Sequence, residues 1–173
     1  MSWVRFILLG AALTGLTASQ TLLPVGELMR YTLDESSEQL TRGMGAPVQI
    51  GDASPGYLTW YYKTDVLDQH DFSHLLMFRK EDGKLVSVTR NFHLAVIVDA
   101  LLPIKSTQTY YWPSETDRQW PVRVRRMGND RLVIAMGVAK PGEATTQVLI
   151  IRRSVLGLFL PWLEQQLAKY VDY

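Results

Sequence analysis

The chain has 173 residues, 47% of them hydrophobic and 20% charged, a balance that suits one folded domain and excludes a disordered or low-complexity segment. Its 18 basic and 17 acidic residues nearly cancel, which excludes non-specific nucleic-acid binding driven by overall charge. It has no cysteine, which excludes disulfides, thiolate metal sites, a cysteine nucleophile and lipid attachment through a cysteine at a processed N-terminus.

The first element in chain order has the pattern of an export signal. Arg5 supplies a positive start, Phe6 to Leu16 is an uncharged apolar run, and Thr17-Ala18-Ser19 offers small residues for cleavage after Ser19. Residues 1–19 therefore read as a signal peptide and 20–173 as one α+β domain. Two other readings stay open: an uncleaved anchor, since no charge appears between Phe6 and Glu27, and a buried helix of the domain.

Asp34 reads as an N-cap for a short helix over 36–42, with Glu35 and Glu38 at the positive end of its dipole and Leu40 inward. Gly43, Gly45 and Pro47 stop it. Strand signals follow: Tyr57 to Lys63 is aromatic and β-branched, and His74 to Arg79 and Leu85 to Phe92 flank the hairpin cue Asp82-Gly83. Strict alternation puts Leu85, Ser87, Thr89 and Asn91 on one face, and Val86, Val88, Arg90 and Phe92 on the other. Leu94 to Leu102 fits a short helix or a strand, ended by Pro103.

Four further strands are expected at Thr107–Trp112, Val122–Met127, Arg131–Val138 and Thr146–Arg152. Ser154 to Tyr170 closes the chain as a helix capped by Ser154, with Leu156, Phe159, Leu160, Leu163 and Leu167 on one stripe. Pro161 either kinks this helix or marks its true start. The expected fold class is α+β: an antiparallel sheet packed by a short N-terminal helix and a C-terminal helix. Charge divides along the chain, 20–100 carrying seven basic and eleven acidic residues and 101–173 ten and six, so the two parts can attract each other.

The segment Leu33 to Phe92 resembles one unit of the SmpA/OmlA (BamE-type) family and of the related β-lactamase-inhibitor-like fold. The resemblance rests on Leu40, Gly45 and Pro47, then Trp60 with Tyr62, then Asp82-Gly83-Lys84-Leu85-Val86-Ser87-Val88. It implies a small sheet packed by helices and used to bind another protein. The chain departs from the lipoprotein members in having no cysteine to lipidate, and its basic second part has no counterpart in such a unit.

Two clusters are candidates for function. His70, Asp71 and His74 have the composition of a metal site, imidazole and carboxylate within a few residues, although a solvated loop has the same composition. Arg123, Arg125 and Arg126, with Trp112 and Trp120 nearby, suit an arginine–aromatic surface for an acidic protein or anionic lipid headgroups, the alternative being a solvated outer face. No nucleophile elbow, His-Glu-x-x-His helix or phosphate-cradling glycine loop occurs, and no cofactor is called for. The expectation is an exported, non-catalytic module that binds an envelope or surface protein, with peripheral membrane contact and no nucleic acid. The alternatives are an envelope hydrolase or metal-dependent enzyme using His70, Asp71 and His74, and a membrane-tethered protein that keeps its N-terminal segment.

Overall fold

A computed structural model describes residues 21–22, 32–63, 71–99, 102, 107–112 and 120–169. The expected export signal and His70 lie outside the described residues. The first helix, α1 (Ser37–Met44), starts at Ser36, whose hydroxyl accepts the Gln39 N–H while the Gln39 side chain accepts the Ser36 N–H. This reciprocal pair satisfies two backbone donors that have no partner inside the helix. Asp34, expected to be the cap, instead adopts a left-handed backbone (φ 84°) and its carboxylate pairs with Arg152. Gly45 ends the helix, and its carbonyl accepts the Tyr62 hydroxyl at 3.0 Å, tying the turn to the sheet.

The strands are β1 (Thr21–Leu22), β2 (Gln49–Ser54), β3 (Tyr57–Lys63), β4 (Asp71–Arg79), β5 (Leu85–Ile97), β6 (Thr107–Trp112), β7 (Trp120–Met127), β8 (Arg131–Met136) and β9 (Ala144–Arg152). Eight of them form one antiparallel sheet in the order β2-β3-β4-β5-β9-β8-β7-β6, and β1 pairs in parallel with the end of β5. The sheet thus takes strands from both the acidic and the basic parts of the chain. Beyond its last strand a 3-10 turn (Arg153–Val155) leads into α2 (Leu156–Phe159) and α3 (Pro161–Leu167).

Several local expectations change in the fold. The stretch Gln49–Ser54, where no strand was expected, is a full strand. Leu94 to Ile97 resolves as strand, since Val96 and Ile97 pair with Thr145 and Ala144. Strict alternation in β5 fails at Val86: Met77 opposes Ser87 and Phe78 opposes Leu85, so Val86 is a bulge residue. The bulge moves Leu85 onto the face of Val88 and Phe92, and Val86 onto the opposite one. The closing helix is broken at Leu160 (φ −131°, ψ 64°), and Pro161 is the start of α3, where its missing N–H costs nothing. Ser154 does not cap it: its N–H and hydroxyl both donate to Asp130, in the β7–β8 turn.

Each face of the sheet has its own core. One contains Leu40, Tyr62, Leu76, Phe78, Val88, Phe92, Val148 and Ile150, with α1 and Leu33 packed on it and Trp60 against its edge, 4.6 Å from the Phe78 ring. The other contains Val122, Val124, Leu132, Ile134 and Ile151 beneath Leu156, Leu160, Leu163 and Leu167 of the closing helices. Arg152 joins the two parts of the chain, donating to Asp34 and, at 3.0 Å, to Asp130. No helix among the described residues is long and apolar enough to cross a membrane.

Candidate functional site

On the face that carries the closing helices, antiparallel register aligns side chains in rows across β3, β4, β5 and β9. One row is Tyr61, Leu75, Thr89 and Leu149, and the next is Thr59, Met77, Ser87 and Ile151. A third row is polar: Asn91 donates to Ser73 at 2.9 Å and accepts from Gln147 at 2.8 Å. The closing helices run over β6 to β9 and reach toward β3 where Phe159 meets the Tyr57 ring edge-on at 5.8 Å. Between Phe159, Trp112 and the first two rows lies an apolar cleft of about 110 Å³. Leu75, Met77, Leu149 and Phe159 in its wall are all half-buried, as is Trp112. Three lining residues are polar, Ser87, Thr89 and Gln147, yet the wall is almost wholly apolar.

Trp112 is held in place from behind by Trp162 of α3, with ring centroids 5.1 Å apart. Its cross-strand partner is Trp120, 40% exposed, which packs on Gly137. A side chain at Gly137 would start 3.3 Å from the Trp120 ring, and φ there is 76°, so glycine alone fits without strain. The two tryptophans expected at the binding surface are therefore neighbours on one face, and Trp112 lines the cleft.

The arginines expected beside them are elsewhere. Arg123 and Arg125 do share a face of β7, opposite Val122 and Val124, but it is the face away from Trp112 and Trp120. That face is not open to solvent at Arg123, which is 2% exposed and bonded to the Asp99 carboxylate (3.0 Å) and the Leu102 carbonyl (2.7 Å). Asp99 also accepts the Gly142 N–H at 2.6 Å, so the pair pins the end of β5 and the β8–β9 turn to the middle of β7. Arg125 is half-buried. Arg126 is exposed at the other end of β7, its guanidinium folded back onto the carbonyls of Gly128 and Asn129. A continuous outward arginine–aromatic surface is thus overturned: Asp99 and Leu102 take Arg123 inside, where a charge must be paired.

His74, expected as a metal ligand, is 0% exposed in β4, between Tyr62 and Arg90 in the register. Arg90 is also buried, with its guanidinium 5.3 Å from the Phe92 ring. The side chain of Asp71 is outside the described residues, as is the whole of His70, and among the described residues no three His, Asp or Glu side chains cluster as metal ligands would. Around Asp130 burial pushes the carboxyl pKa up, but the Ser154 N–H and the Arg152 guanidinium outweigh it and hold the group below the usual carboxylate range.

Leu75, Met77 and Leu149 were not singled out by motif, although one signal pointed to them. In His74-Leu-Leu-Met-Phe78 and Val148-Leu-Ile-Ile151 apolar residues occupy both alternate sets, which requires both faces of those strands to meet apolar surface.

No protein-family model matches the chain, and no curated protein does. Among solved structures it is similar to a cysteine-rich secretory protein from Staphylococcus aureus, with a TM-score of 0.51 at 11% identity over 80% of this chain and 50% of that one. It is also similar to an extracellular protein containing an SCP domain from Bacillus anthracis, with a TM-score of 0.46 at 10% identity over 84% of this chain and 50% of that one. The chain spans about half the length of each, and the first likeness is one of fold.

Proposed function

We propose that this chain is an exported, non-catalytic binding module that captures an apolar side chain of a partner protein in the Trp112 cleft. The carrying observation is that Leu75, Met77, Leu149 and Phe159 stay half-buried around an apolar hollow, at the edge of the part of this sheet face that the chain's own helices cover. A volume of about 110 Å³ suits one aromatic or branched aliphatic group. Small-molecule sites run to roughly 300–1,000 Å³ and place a few polar groups to orient the ligand. The near absence of polar wall favours an anchor side chain, the kind of contact that dominates protein interfaces. Export is supported by the residue 1–19 pattern, and the S. aureus neighbour is itself described as secretory. The resemblance of Leu33 to Phe92 to a SmpA/OmlA unit points the same way, toward binding another protein.

The test is photo-crosslinking in the native host. A crosslinking residue at Thr59, beside Met77 on the cleft face, should give a discrete protein adduct, while one at Thr146, exposed on the opposite face, should not. Thr89→Phe, which fills the cleft with a ring, should remove the adduct while leaving the thermal melt in place. An adduct that survives Thr89→Phe, or crosslinking to lipid alone, overturns the reading.

A further inference from the structure

The two ends of the sheet are finished differently. At the β6 end, Gln166 of α3 donates to the Tyr111 carbonyl at 3.3 Å, so the closing helix reaches the outer strand. At the β2 end, among the described residues, no strand or helix lies beyond Gln49–Ser54. Its Val48 and Ile50 are 68% and 57% exposed, more than or as much as any other large apolar residue described. An uncovered strand edge offers a row of backbone donors and acceptors to another chain, and proteins usually guard it with charge, proline or a bulge.

Here the guards stand at the two ends of a short window. Beyond Gly51 come a bulge between Asp52 and Ser54 and the Asp52–Lys80 ion pair at 2.6 Å. Before Val48 comes Pro47, which has no N–H to donate. Val48, Gln49, Ile50 and Gly51 between them carry no charge. The Val48 N–H donates to the Tyr61 carbonyl at 2.8 Å, toward β3. Tyr61 thus faces β2, and Gln49, its register partner, turns its own N–H and C=O toward it; strand alternation then turns those of Ile50 outward, away from β3.

We infer that this window is a self-pairing edge, and that its occupant is β2 of a second copy of this chain. An antiparallel pair centred on Gln49 sets Gln49 against its own copy, and sets Val48 of each chain against Ile50 of the other. That register covers all four exposed apolar side chains on one face, with Gly51 opposite Pro47 and Asp52 opposite Ala46, so no like charges meet. Displacing the centre by one residue to Ile50 would set Val48 against Asp52 and lose the match. The contact is isologous and closes on itself, as a two-fold dimer requires. It uses neither the Trp112 cleft nor the closing helices.

The absence of native cysteine makes the register directly readable. In the purified full-length chain, Gln49→Cys should be joined into a covalent dimer by a short bis-maleimide, because the two thiols lie across the axis. Asp52→Cys should not, since its two copies would sit about 20 Å apart along the strands. Sedimentation should show a concentration-dependent dimer, and Ile50→Lys should raise its dissociation constant by about tenfold or more. The melting temperature of that variant should hold, because Ile50 is exposed in the single chain. A monomer at every concentration, equal crosslinking of both cysteine variants, or a dimer untouched by Ile50→Lys overturns the inference. So does a monomer that pairs this edge with an extended peptide instead.

Discussion

The two ends of one sheet face were built from similar strands and finished in opposite ways. Over β6 to β9 the closing helices lay Leu156, Leu160, Leu163 and Leu167 on Val122, Val124, Leu132 and Ile134, and these eight side chains are buried. Over β3 to β5 the equivalent positions, Thr59, Tyr61, Leu75, Met77 and Thr89, remain half-buried. The strands on both sides alternate and pair in register, so strand chemistry does not explain the contrast. What differs is the reach of α2, which crosses the sheet only as far as the Phe159–Tyr57 contact. A short helix followed by a break at Leu160 leaves a cleft at its tip, and the cleft is where partner binding is proposed.

This contrast can be broken most sharply at Arg123, the charge hidden beneath the covered end on the opposite face. Arg123→Glu places a carboxylate against Asp99 and should cost about 3–5 kcal/mol, the scale on which buried pairs fail when one partner is removed. Chemical denaturation measures it, and a stable variant would mean that Asp99 and Leu102 do not hold Arg123 in a fixed place. Leu163→Ala, in the seal itself, should cost about 2–5 kcal/mol by leaving a cavity under α3. At the open end Leu149→Ala removes a half-buried side chain and should cost only about 1 kcal/mol, since its transfer from water is incomplete. Equal midpoints for the two leucine variants would erase the distinction between sealed and open ends.

The smallest effect belongs to Asp130, which braces the start of the sealing helices through Ser154 and Arg152. Its folded pKa is lowered, so its contribution is full above the unfolded carboxyl's titration, near about 3.9, and is lost as pH falls through the lower folded value. The pair is partly exposed, so the loss should be about 1 kcal/mol or less. Urea unfolding of Asp130→Asn should show a shallower decline across the acid limb than the unsubstituted chain. Identical slopes would remove Asp130 from the acid response.

The arginine positions teach why the candidate site was only partly legible. Alternation correctly paired Arg123 with Arg125 and set both against Val122 and Val124. It carried no information on what covers either face. Asp99 and Leu102 come from a segment more than twenty residues earlier, and their arrival turns an expected outer face into a buried ion pair. Trp112 was recognisable as an aromatic of interest, yet its cleft also needs Phe159 from the far end of the chain and Leu75 from β4.

By itself the sequence determined the features that depend on a few neighbouring residues. The Asp82-Gly83 hairpin, the aromatic strand Tyr57–Lys63 and the helix stopped at Gly45 follow from turn, capping and propensity chemistry acting over one or two turns of chain. Tertiary structure decided everything that depends on the opposing surface. It chose Ser36 over Asp34 as the cap, because Asp34 is drawn to Arg152, 118 residues away. It put a bulge at Val86 so that Leu85 could join one core and Val86 the other. It left the cleft open where the closing helices end. Burial is a property of two surfaces meeting, and a residue's own neighbours in sequence supply only one of them.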